Sequence, residues 1–600
     1  MITPPGFLEE PRLIGNVFLS LGTRRPWWEN AVAVRPAEAS LPHFDYDAVV
    51  IGSGFGGAVS AYRLAAAGQR VCVLERGKAY PPGSFPRSPY DLSRSFWDPS
   101  EGHYGLYNVW SFEGLGALVC SGLGGGSLIY ANVLLRKDAD TFVQDEHEVW
   151  PLSYEDLEEH YERVEEMLNG QRYPLEHEPY GRTRKTLAMR AAAEGLPERL
   201  GIPGVSWQLP KLAITFANRG EDPRPGVEIK EAPPSSHDQP HARLTCVLSG
   251  ECDLGCNYGS KNSLDLNYLG LARQHGAVIR ACCEAKWFAP AEGGYQVSFV
   301  DHGELADRAI PRRGLPEQRI IARRLVLAAG TLGSTFLLLK CRQDFPDLSK
   351  ALGTRFSGNG DLLTFLVKAK AQGGGPRLLE ASYGPVITSA IRVPSAGGER
   401  RGHYIEDAGY PYLVSWLTQS FTLPWIARQS LRLRWRFALR KLRGKAVDTD
   451  LGAELASLLG NTALSSSSMP MLGMGRDIPD GHLFLDKEGR LTTDWRIEGS
   501  RAYFQELERT ARAIAAELGA TFRDSRLRRL TKLVTVHSLG GCPMGRNASE
   551  GVVDSYGQVF GYENFFIVDG SVMPGPVGPN PSLTIAALAD RFADRMLGEA

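Results

Sequence analysis

The sequence is poor in cysteine, carries no surplus of either charge and contains no long apolar run. Nine cysteines in 600 residues are too few for a disulfide-rich secreted domain. With 67 basic and 68 acidic side chains, the overall charge gives no reason to expect a nucleic-acid partner. No stretch approaches the roughly 20 apolar residues of a membrane-spanning helix, and the N-terminus lacks a signal-peptide pattern. We therefore expect a cytoplasmic globular protein with two or more structural domains.

A glycine-rich turn follows a short apolar run at 48–51 that is rich in β-branched residues. Gly52, Gly54 and Gly57 fill the pattern G-x-G-x-x-G, an Ala-rich helical segment comes next, and a second apolar run ends at Glu75. This order is typical of a dinucleotide site, where a helix N-terminus faces the pyrophosphate and a carboxylate accepts a ribose hydroxyl. An acid at that place favours NAD or FAD over a 2′-phosphorylated nucleotide.

A second glycine block, GLGGGS at 122–127, favours the larger of these two cofactors. Glycine allows a backbone to approach a ligand closely, and one pyrophosphate does not obviously need two such loops. A cofactor whose ring system requires a cradle of its own would use both, which indicates FAD.

These blocks and several later ones resemble the glucose-methanol-choline (GMC) oxidoreductases, most closely their bacterial cholesterol oxidases. The later blocks are GSKNSLDLNYL (259–269), LVLAAGTLGSTFLLL (325–339), SGNGD (357–361), HSLGGCPMG (537–545) and a closing block that contains NPSLTIAALADR. The resemblance implies an α/β FAD-binding domain of the Rossmann-like GMC type plus an α+β substrate domain on an antiparallel sheet.

The resemblance also implies which residues hold FAD without a covalent bond. The closing block predicts a strand that ends at Asp569 and Gly570, followed by a helix whose positive N-terminus faces the flavin. The predicted cofactor-binding residues are Gly52, Gly54, Phe55, Gly56, Gly57, Glu75, Gly124, Gly125, Gly126, Ser127, Asn132, Ala285, Asp569, Gly570, Asn580, Pro581 and Ser582.

Three catalytic residues follow from the same resemblance. His537 and Asn580 match the pair that holds the substrate hydroxyl: an imidazole nitrogen takes its proton while hydride leaves for flavin N5, and the amide fixes the oxygen. Glu406 lies near the place of the glutamate that moves the double bond after oxidation in cholesterol oxidases. Asp407 competes for this role, but successive strand residues face opposite sides, and we predict Glu406.

The cysteines are not expected to carry chemistry. Cys542 lies among glycines and a proline, and is predicted to behave as a small apolar side chain. Cys246, Cys252 and Cys256 lack the spacing of common zinc or iron–sulfur sites, so no metal is predicted.

The predicted domains are interleaved along the chain. An N-terminal extension covers 1–43, and segments 44–140, 241–345 and 530–600 form the FAD-binding domain, while 141–240 and 346–529 form the substrate-binding domain.

A basic segment, 424–445, interrupts the predicted substrate-binding domain with eight Lys or Arg residues and no acid. As a helix it would place Trp and Leu on one face, which suits peripheral contact with an anionic membrane surface. A strand, or a basic helix that pairs with acidic neighbours, is the alternative.

The combined pattern predicts an FAD-dependent alcohol oxidase or dehydrogenase for a bulky, apolar secondary alcohol, with a cholesterol-like hydroxysteroid as the leading candidate. The alternatives are a GMC enzyme for a sugar or for a small or long-chain primary alcohol, and a lyase or binding protein whose flavin does not turn over. Oxygen, a quinone or a protein would accept the electrons. Tyr130, Ala131, Asn132 and Val133 replace an asparagine, two glycines and a methionine of the cholesterol oxidases beside the oxygen route, so the acceptor stays open.

Overall fold

The computed structural model of the chain describes residues 44–87, 95–144, 147–237, 241–308, 310–311, 314–394, 401–409, 466–524 and 533–598. The predicted extension at 1–43 and the basic segment at 424–445 lie outside these ranges. Within them, no helix is long and apolar enough to cross a membrane.

The described helices and strands are numbered in chain order. The α-helices are α1 (Phe55–Ala66), α2 (Glu155–Met167), α3 (Arg184–Leu200), α4 (Tyr268–Gln274), α5 (Gly303–Arg308), α6 (Gly330–Lys340), α7 (Arg501–Glu517) and α8 (Ser582–Leu597). The strands are β1 (Tyr46–Ile51), β2 (Val71–Leu74), β3 (Trp97–Asp98), β4 (His103–Tyr104), β5 (Tyr107–Ser111), β6 (Leu115–Cys120), β7 (Val133–Leu134), β8 (Gln171–Arg172), β9 (Ser206–Gln208), β10 (Lys211–Leu212), β11 (Val278–Arg280), β12 (Cys283–Ala291), β13 (Gly294–Asp301), β14 (Glu317–Leu327), β15 (Leu362–Val367), β16 (Ile387–Val393), β17 (His403–Ala408), β18 (Met469–Gly475), β19 (Leu483–Leu485), β20 (Leu491–Thr493), β21 (Thr521–Asp524), β22 (Leu533–Thr535) and β23 (Phe565–Ile567).

A seven-stranded sheet forms the first layer. Strands β11, β2, β1 and β14 run parallel in that order, and the C-terminal half of β14 also pairs in parallel with β23. The N-terminal half of β14 continues into an antiparallel arrangement with β13 and β12. All four residues of β2 are buried, as expected for a parallel strand covered on both faces.

The parallel strands all end at the same edge of this sheet. The chain leaves β1 at Gly52, β2 at Glu75, β14 at Ala328 and β23 at Val568. In open α/β sheets, ligands bind at the carboxyl ends of the strands, so this edge is where the cofactor site is expected.

A second, six-stranded antiparallel sheet has the order β21, β15, β18, β17, β16, β9. Helices α3 and α7 pack against it and against each other. The Rossmann-like sheet and this second sheet confirm the predicted fold class. The strands of the first sheet come from residues 46–74, 278–327 and 565–567, and those of the second sheet come from 206–208 and 362–524. From this division of the strands we propose the domain boundaries given above.

A buried carboxylate fixes helix α8, which begins beside the strand ends. Asp590 on α8 accepts hydrogen bonds from Arg63 of α1 at 2.6 Å and from Nδ1 of His160 of α2 at 2.7 Å. Burial opposes ionisation of Asp590, but the hydrogen bonds from His160 and Arg63 outweigh it and lower its pKa. The middle of α8 is therefore fixed against α1 and α2.

Candidate active site

A cavity of about 440 Å³ lies at the carboxyl ends of the parallel strands. Ile51 and Leu74 bring the first sheet to its wall. The second sheet contributes one residue from each of four neighbouring strands: Leu363, Ile387, Ala408 and Leu472. The cavity thus lies between the predicted cofactor sheet and the predicted substrate sheet.

Two glycine loops leave part of this cavity free of side chains. Gly52 has a φ of +101°, and a Cβ on it would lie 2.2 Å from the carbonyl oxygen of Ala328, so only glycine fits this turn. Gly54 and Gly126 also line the cavity, but a Cβ on either would meet no protein atom within 4 Å. Protein packing does not require glycine at these two positions, whereas a bound pyrophosphate between the two loops would.

Glu75 is held rigidly at the end of β2. Its Oε2 accepts hydrogen bonds from the hydroxyl of Ser53 at 2.7 Å and from the Ser53 amide at 3.2 Å, and its Oε1 accepts one from the amide of Gly77 at 2.8 Å. Burial raises the pKa of Glu75. Glu75 lines the cavity at the end of β2, where a dinucleotide site has a carboxylate for ribose hydroxyls.

Buried polar atoms without partners mark the other side of the cofactor region. Both side-chain polar atoms of Asn132, the hydroxyl of Ser571 and Oδ1 of Asn580 are buried and have no hydrogen-bond partner among the described residues. Native proteins rarely leave such atoms unpaired. Of these residues, Asn580 lines the cavity, and its unpaired Oδ1, together with the glycine loops and Glu75, fits a large dinucleotide cofactor.

Asp361 orients the imidazole of His537. Its Oδ1 lies 2.7 Å from Nδ1 of His537, and its Oδ2 accepts hydrogen bonds from the amide of Val536 and the hydroxyl of Thr535, both at 2.9 Å. A carboxylate at Nδ1 requires a proton on that nitrogen, which leaves Nε2 as an acceptor. Because His537 lines the cavity, Nε2 is the atom available to a ligand.

The same loop clamps the segment before Asn580. Asn359 is buried, and its Oδ1 accepts hydrogen bonds from the amides of Val577 at 2.9 Å and Gly578 at 3.0 Å. Its Nδ2 donates to the carbonyl of Pro579 at 3.0 Å. The block SGNGD thus positions both predicted catalytic residues: Asn359 fixes the segment before Asn580, and Asp361 fixes His537.

Glu406 lies directly behind Asn580. The amide Nδ2 of Asn580 donates to Oε2 of Glu406 at 3.3 Å, and Oε1 of Glu406 has no partner among the described residues. Asp407 points to the opposite side of β17, where it accepts hydrogen bonds from the amides of Thr388 at 2.9 Å and Ser389 at 2.7 Å. Burial, together with the nearby carboxylates of Asp407 and Asp361, raises the pKa of Glu406 to about 8, although the bond from Asn580 opposes this.

Most of the predicted site residues line this one cavity. They are Gly52, Gly54, Phe55, Gly56, Glu75, Gly125, Gly126, Ala285, His537, Asp569, Gly570, Asn580, Pro581 and Ser582. Five others lie behind its lining: Gly57, Gly124, Ser127, Asn132 and Glu406. Of these, Ser127 stabilises the second glycine loop from within, because its hydroxyl donates to the carbonyl of Gly124 at 2.7 Å and accepts from the amide of Leu264 at 3.0 Å.

Several residues at the site were not predicted from the sequence. Asp361 and Asn359 belong to a block that the resemblance included, but no local signal connects them to His537 or Asn580. No local signal in the sequence placed four other lining residues at the site either: Asp253, Tyr107, Trp110 and Phe336. Only the folded chain brings these positions to the cavity.

The predicted behaviour of Cys542 agrees with its surroundings. The side chain is fully buried, and burial raises the pKa of its thiol to about 12. A thiol with this pKa is not a nucleophile near neutral pH. Among the described residues, no group of three or more His, Cys, Asp or Glu side chains is arranged to hold a metal ion.

Comparison with known proteins places the site in context. The C-terminal model of the GMC oxidoreductases matches residues 483–589, and a model of NAD(P)-binding Rossmann-like domains matches residues 50–82. The chain is 29% identical to a cholesterol oxidase of Mycobacterium tuberculosis over 92% of its own length and 90% of that relative. It is 27% identical to a cholesterol oxidase of Acinetobacter baumannii over 92% of its length and 94% of that relative. The solved structure of pyridoxine 4-oxidase from Mesorbium loti is 15% identical, with a TM-score of 0.50 over 92% of this chain and 99% of that one, and it supports the fold alone.

Proposed function

Because this chain belongs to the GMC oxidoreductases, which are FAD-dependent alcohol oxidoreductases, we propose that it oxidises a bulky, apolar secondary alcohol of the hydroxysteroid class. The observation that carries the proposal is that His537 and Asn580 line one cavity whose remaining walls are rich in apolar side chains. Two of its relatives are named cholesterol oxidases, which supports the same substrate class.

In this proposal, His537 is the base. Its Nε2 accepts the proton of the substrate hydroxyl, while the bond from Nδ1 to Asp361 keeps the ring in the required tautomer. Asn580 hydrogen-bonds the substrate oxygen and so fixes the direction of the carbon-bound hydrogen. When bound, FAD supplies the acceptor for the hydride that leaves this carbon.

The apolar walls select the substrate. Leu363, Ile387 and Leu472 on the second sheet, together with Trp110 and Phe336, line the same cavity as the catalytic pair. A rigid hydrocarbon body would exclude water from these surfaces, and each buried methylene contributes about 0.8 kcal/mol to binding. A sugar would leave most of its hydroxyls without partners on such walls.

The proposal is tested by mixing the flavin-loaded enzyme anaerobically with cholesterol, a straight-chain 1-alkanol and glucose. We expect cholesterol to bleach the flavin fastest. Faster bleaching by glucose or the alkanol would refute the substrate class, and no bleaching by any alcohol would refute the redox assignment. Admission of air then identifies the acceptor: rapid return of the flavin colour indicates oxygen, and slow return indicates a quinone or protein.

The two glycines without protein neighbours give a prediction about cofactor binding. Gly54→Val or Gly126→Val should yield a folded protein that has lost most of its flavin, because the new side chain occupies the space proposed for the pyrophosphate. Gly373→Val is the matched control, since its Cβ also meets no atom within 4 Å but Gly373 is not at the cavity. The ratio of flavin to protein absorbance measures the effect. Equal flavin loss in Gly373→Val would contradict the assignment of this space to the pyrophosphate. Separately, acid precipitation of the wild type should release all flavin, because the binding is proposed to be non-covalent.

Glu406 gives a prediction about pH. We propose that it moves the double bond of a 5-ene-3-ketosteroid after oxidation, so Glu406→Gln should retain oxidation and lose most of the isomerisation. With a pKa of about 8, the basic form of the wild type increases about tenfold per pH unit below that value and then levels off. The isomerisation rate, followed by absorbance of the conjugated ketone, should show this profile. A flat profile, or unchanged isomerisation in the variant, would contradict the role.

The same titration affects stability. The pKa of Glu406 is higher in the folded than in the unfolded chain, so its proton stabilises the fold at low pH, and this contribution is lost as pH rises toward about 8. The wild type should therefore lose thermal stability relative to Glu406→Gln as the pH rises from about 4.5 to about 8. The difference between the melting temperatures of the two proteins, measured across this pH range, tests this expectation.

A further inference from the structure

We propose that Asp253 is a second substrate-binding residue, which accepts a hydrogen bond from a hydroxyl group of the substrate other than the one that is oxidised. The inference rests on the proposed function and narrows it. Instead of a purely apolar body with a single alcohol group, the substrate carries a second hydroxyl at another position.

Asp253 lies at the junction of two walls of the cavity. It is the middle residue of a short 3-10 helix, Cys252–Leu254. On one side, Cys252 packs against a buried cluster that contains Ile387 of the second sheet. On the other side, Leu254 packs with a cluster that contains Tyr107 and Leu118. Asp253 itself lines the cavity between them.

The carboxylate of Asp253 has no hydrogen-bond partner within the described part of the chain. Its Oδ1 is buried and unpaired. The hydroxyl of Tyr107 donates to the backbone carbonyl of Asp253 at 2.9 Å and not to its side chain. A buried carboxylate without donors is costly, so a donor is expected from outside the protein.

Two lysines stabilise the negative charge of Asp253, but their hydrogen bonds go elsewhere. Lys261 donates to the carbonyls of Leu128 at 3.0 Å, Tyr130 at 2.7 Å and Cys252 at 2.9 Å, which uses all three of its N–H groups. Lys185 donates to the carbonyls of Pro385 at 2.7 Å and Val386 at 2.5 Å. The lysines therefore supply favourable charge while the carboxylate oxygens stay available to a ligand.

The same charges decide which donor is favoured. The charges of Lys261 and Lys185 attract the Asp253 carboxylate and would repel a cationic substrate group. A neutral hydroxyl meets no such repulsion and forms a charge-assisted hydrogen bond with the carboxylate. Burial, against the attraction of Lys261 and Lys185, raises the pKa of Asp253 to about 7, which is consistent with a group that lacks its hydrogen-bond donor.

The test compares substrates that differ only by the second hydroxyl. The first set contains straight-chain 1-alkanols and α,ω-diols of matched length, and a series of lengths samples the distance between His537 and Asp253. The second set is a rigid pair, androst-5-en-3β-ol and androst-5-ene-3β,17β-diol. The variants are Asp253→Leu, which removes the acceptor, and Asp253→Asn, which keeps the shape. Glu251→Gln is the control, because this carboxylate lies two residues away and pairs with Arg87 outside the cavity.

In the wild type, kcat/KM is expected to favour the diol over its alcohol by about 10- to 100-fold at a preferred length or in the steroid pair. Asp253→Leu should remove this preference, Asp253→Asn should retain part of it, and Glu251→Gln should leave it unchanged. A ratio of diol to alcohol that is the same in the wild type and both Asp253 variants would overturn the inference.

A binding measurement separates this inference from the proposed function. If no alcohol bleaches the flavin, the proposed function fails, and Asp253 is then tested by anaerobic titration with androst-4-en-3-one and its 17β-hydroxy derivative, followed by flavin absorbance. Tighter binding of the hydroxylated ketone to the wild type than to Asp253→Leu supports the second site. Equal discrimination in both proteins overturns it.

Discussion

Replacement of His537 by alanine is expected to slow anaerobic reduction of the flavin by about 10²- to 10⁴-fold, the usual contribution of a general base. The variant should still hold its flavin, because the predicted cofactor contacts come from the glycine loops, Glu75 and the start of α8. The effect should fall on kcat more than on KM, since the proton leaves the substrate oxygen only in the transition state. Stopped-flow absorbance of the flavin measures both quantities.

The control for this change lies in the same loop. Cys542→Ala removes a buried thiol that we assign no chemical role, and the rate of flavin reduction should stay within a few-fold of the wild type. If the cysteine variant slows reduction as much as the histidine variant, loss of loop structure explains both results. If His537→Ala loses bound flavin by the same factor as it loses the rate of flavin reduction, His537 supports the structure of the site and is not the base.

Asp361→Asn is expected to lower kcat by about 10- to 100-fold with little change in KM, as is usual for residues that orient a catalytic group. The carboxylate accepts from Nδ1 of His537 at 2.7 Å and also from the amide of Val536 and the hydroxyl of Thr535. An amide presents one oxygen and one NH₂ group to these donors, so it cannot satisfy all of them, and it no longer favours the Nε2 acceptor tautomer.

Asp477→Asn separates this role from general support of the loop. Asp477 accepts hydrogen bonds from the hydroxyl of Ser357 at 2.6 Å and the amide of Gly358 at 3.1 Å, in the same SGNGD block, without a bond to His537. We expect it to lower thermal stability while kcat changes less than in Asp361→Asn. Equal losses of kcat in the two variants would show that Asp361 acts only through the loop.

The parts of the site that were predicted from the sequence are those with local signals or with motifs of a known family. The strand, turn and helix around Gly52 and Gly54 need only about 20 consecutive residues, and their chemistry follows from backbone geometry. His537, Asn580 and the start of α8 followed from the resemblance. The comparisons support the family resemblance, the fold class and the type of enzyme that these blocks imply; the roles of individual residues stay predictions.

The rest depends on contacts between distant parts of the chain. Asp361 and His537 are separated by 176 positions, and Asn359 and Val577 by 218. Periodicity and spacing carry no information over such distances, because these pairs form only when segments far apart in the sequence meet in the folded chain. The glycine pattern has a similar limit: it predicts a tight loop at 122–127 but not that Gly126 faces the cavity while Gly124 packs behind it.

The loop that holds both predicted catalytic residues has an evolutionary consequence. Asn359 and Asp361 set the positions of Asn580 and His537 through polar contacts to backbone and imidazole, and apolar side chains such as Ile387 and Leu472 take no part in those hydrogen bonds. Substitutions on the substrate walls can therefore change which alcohol is accepted without a matching change in the chemistry. Such separation allows one scaffold to acquire new substrates by single steps, each of which leaves a working enzyme.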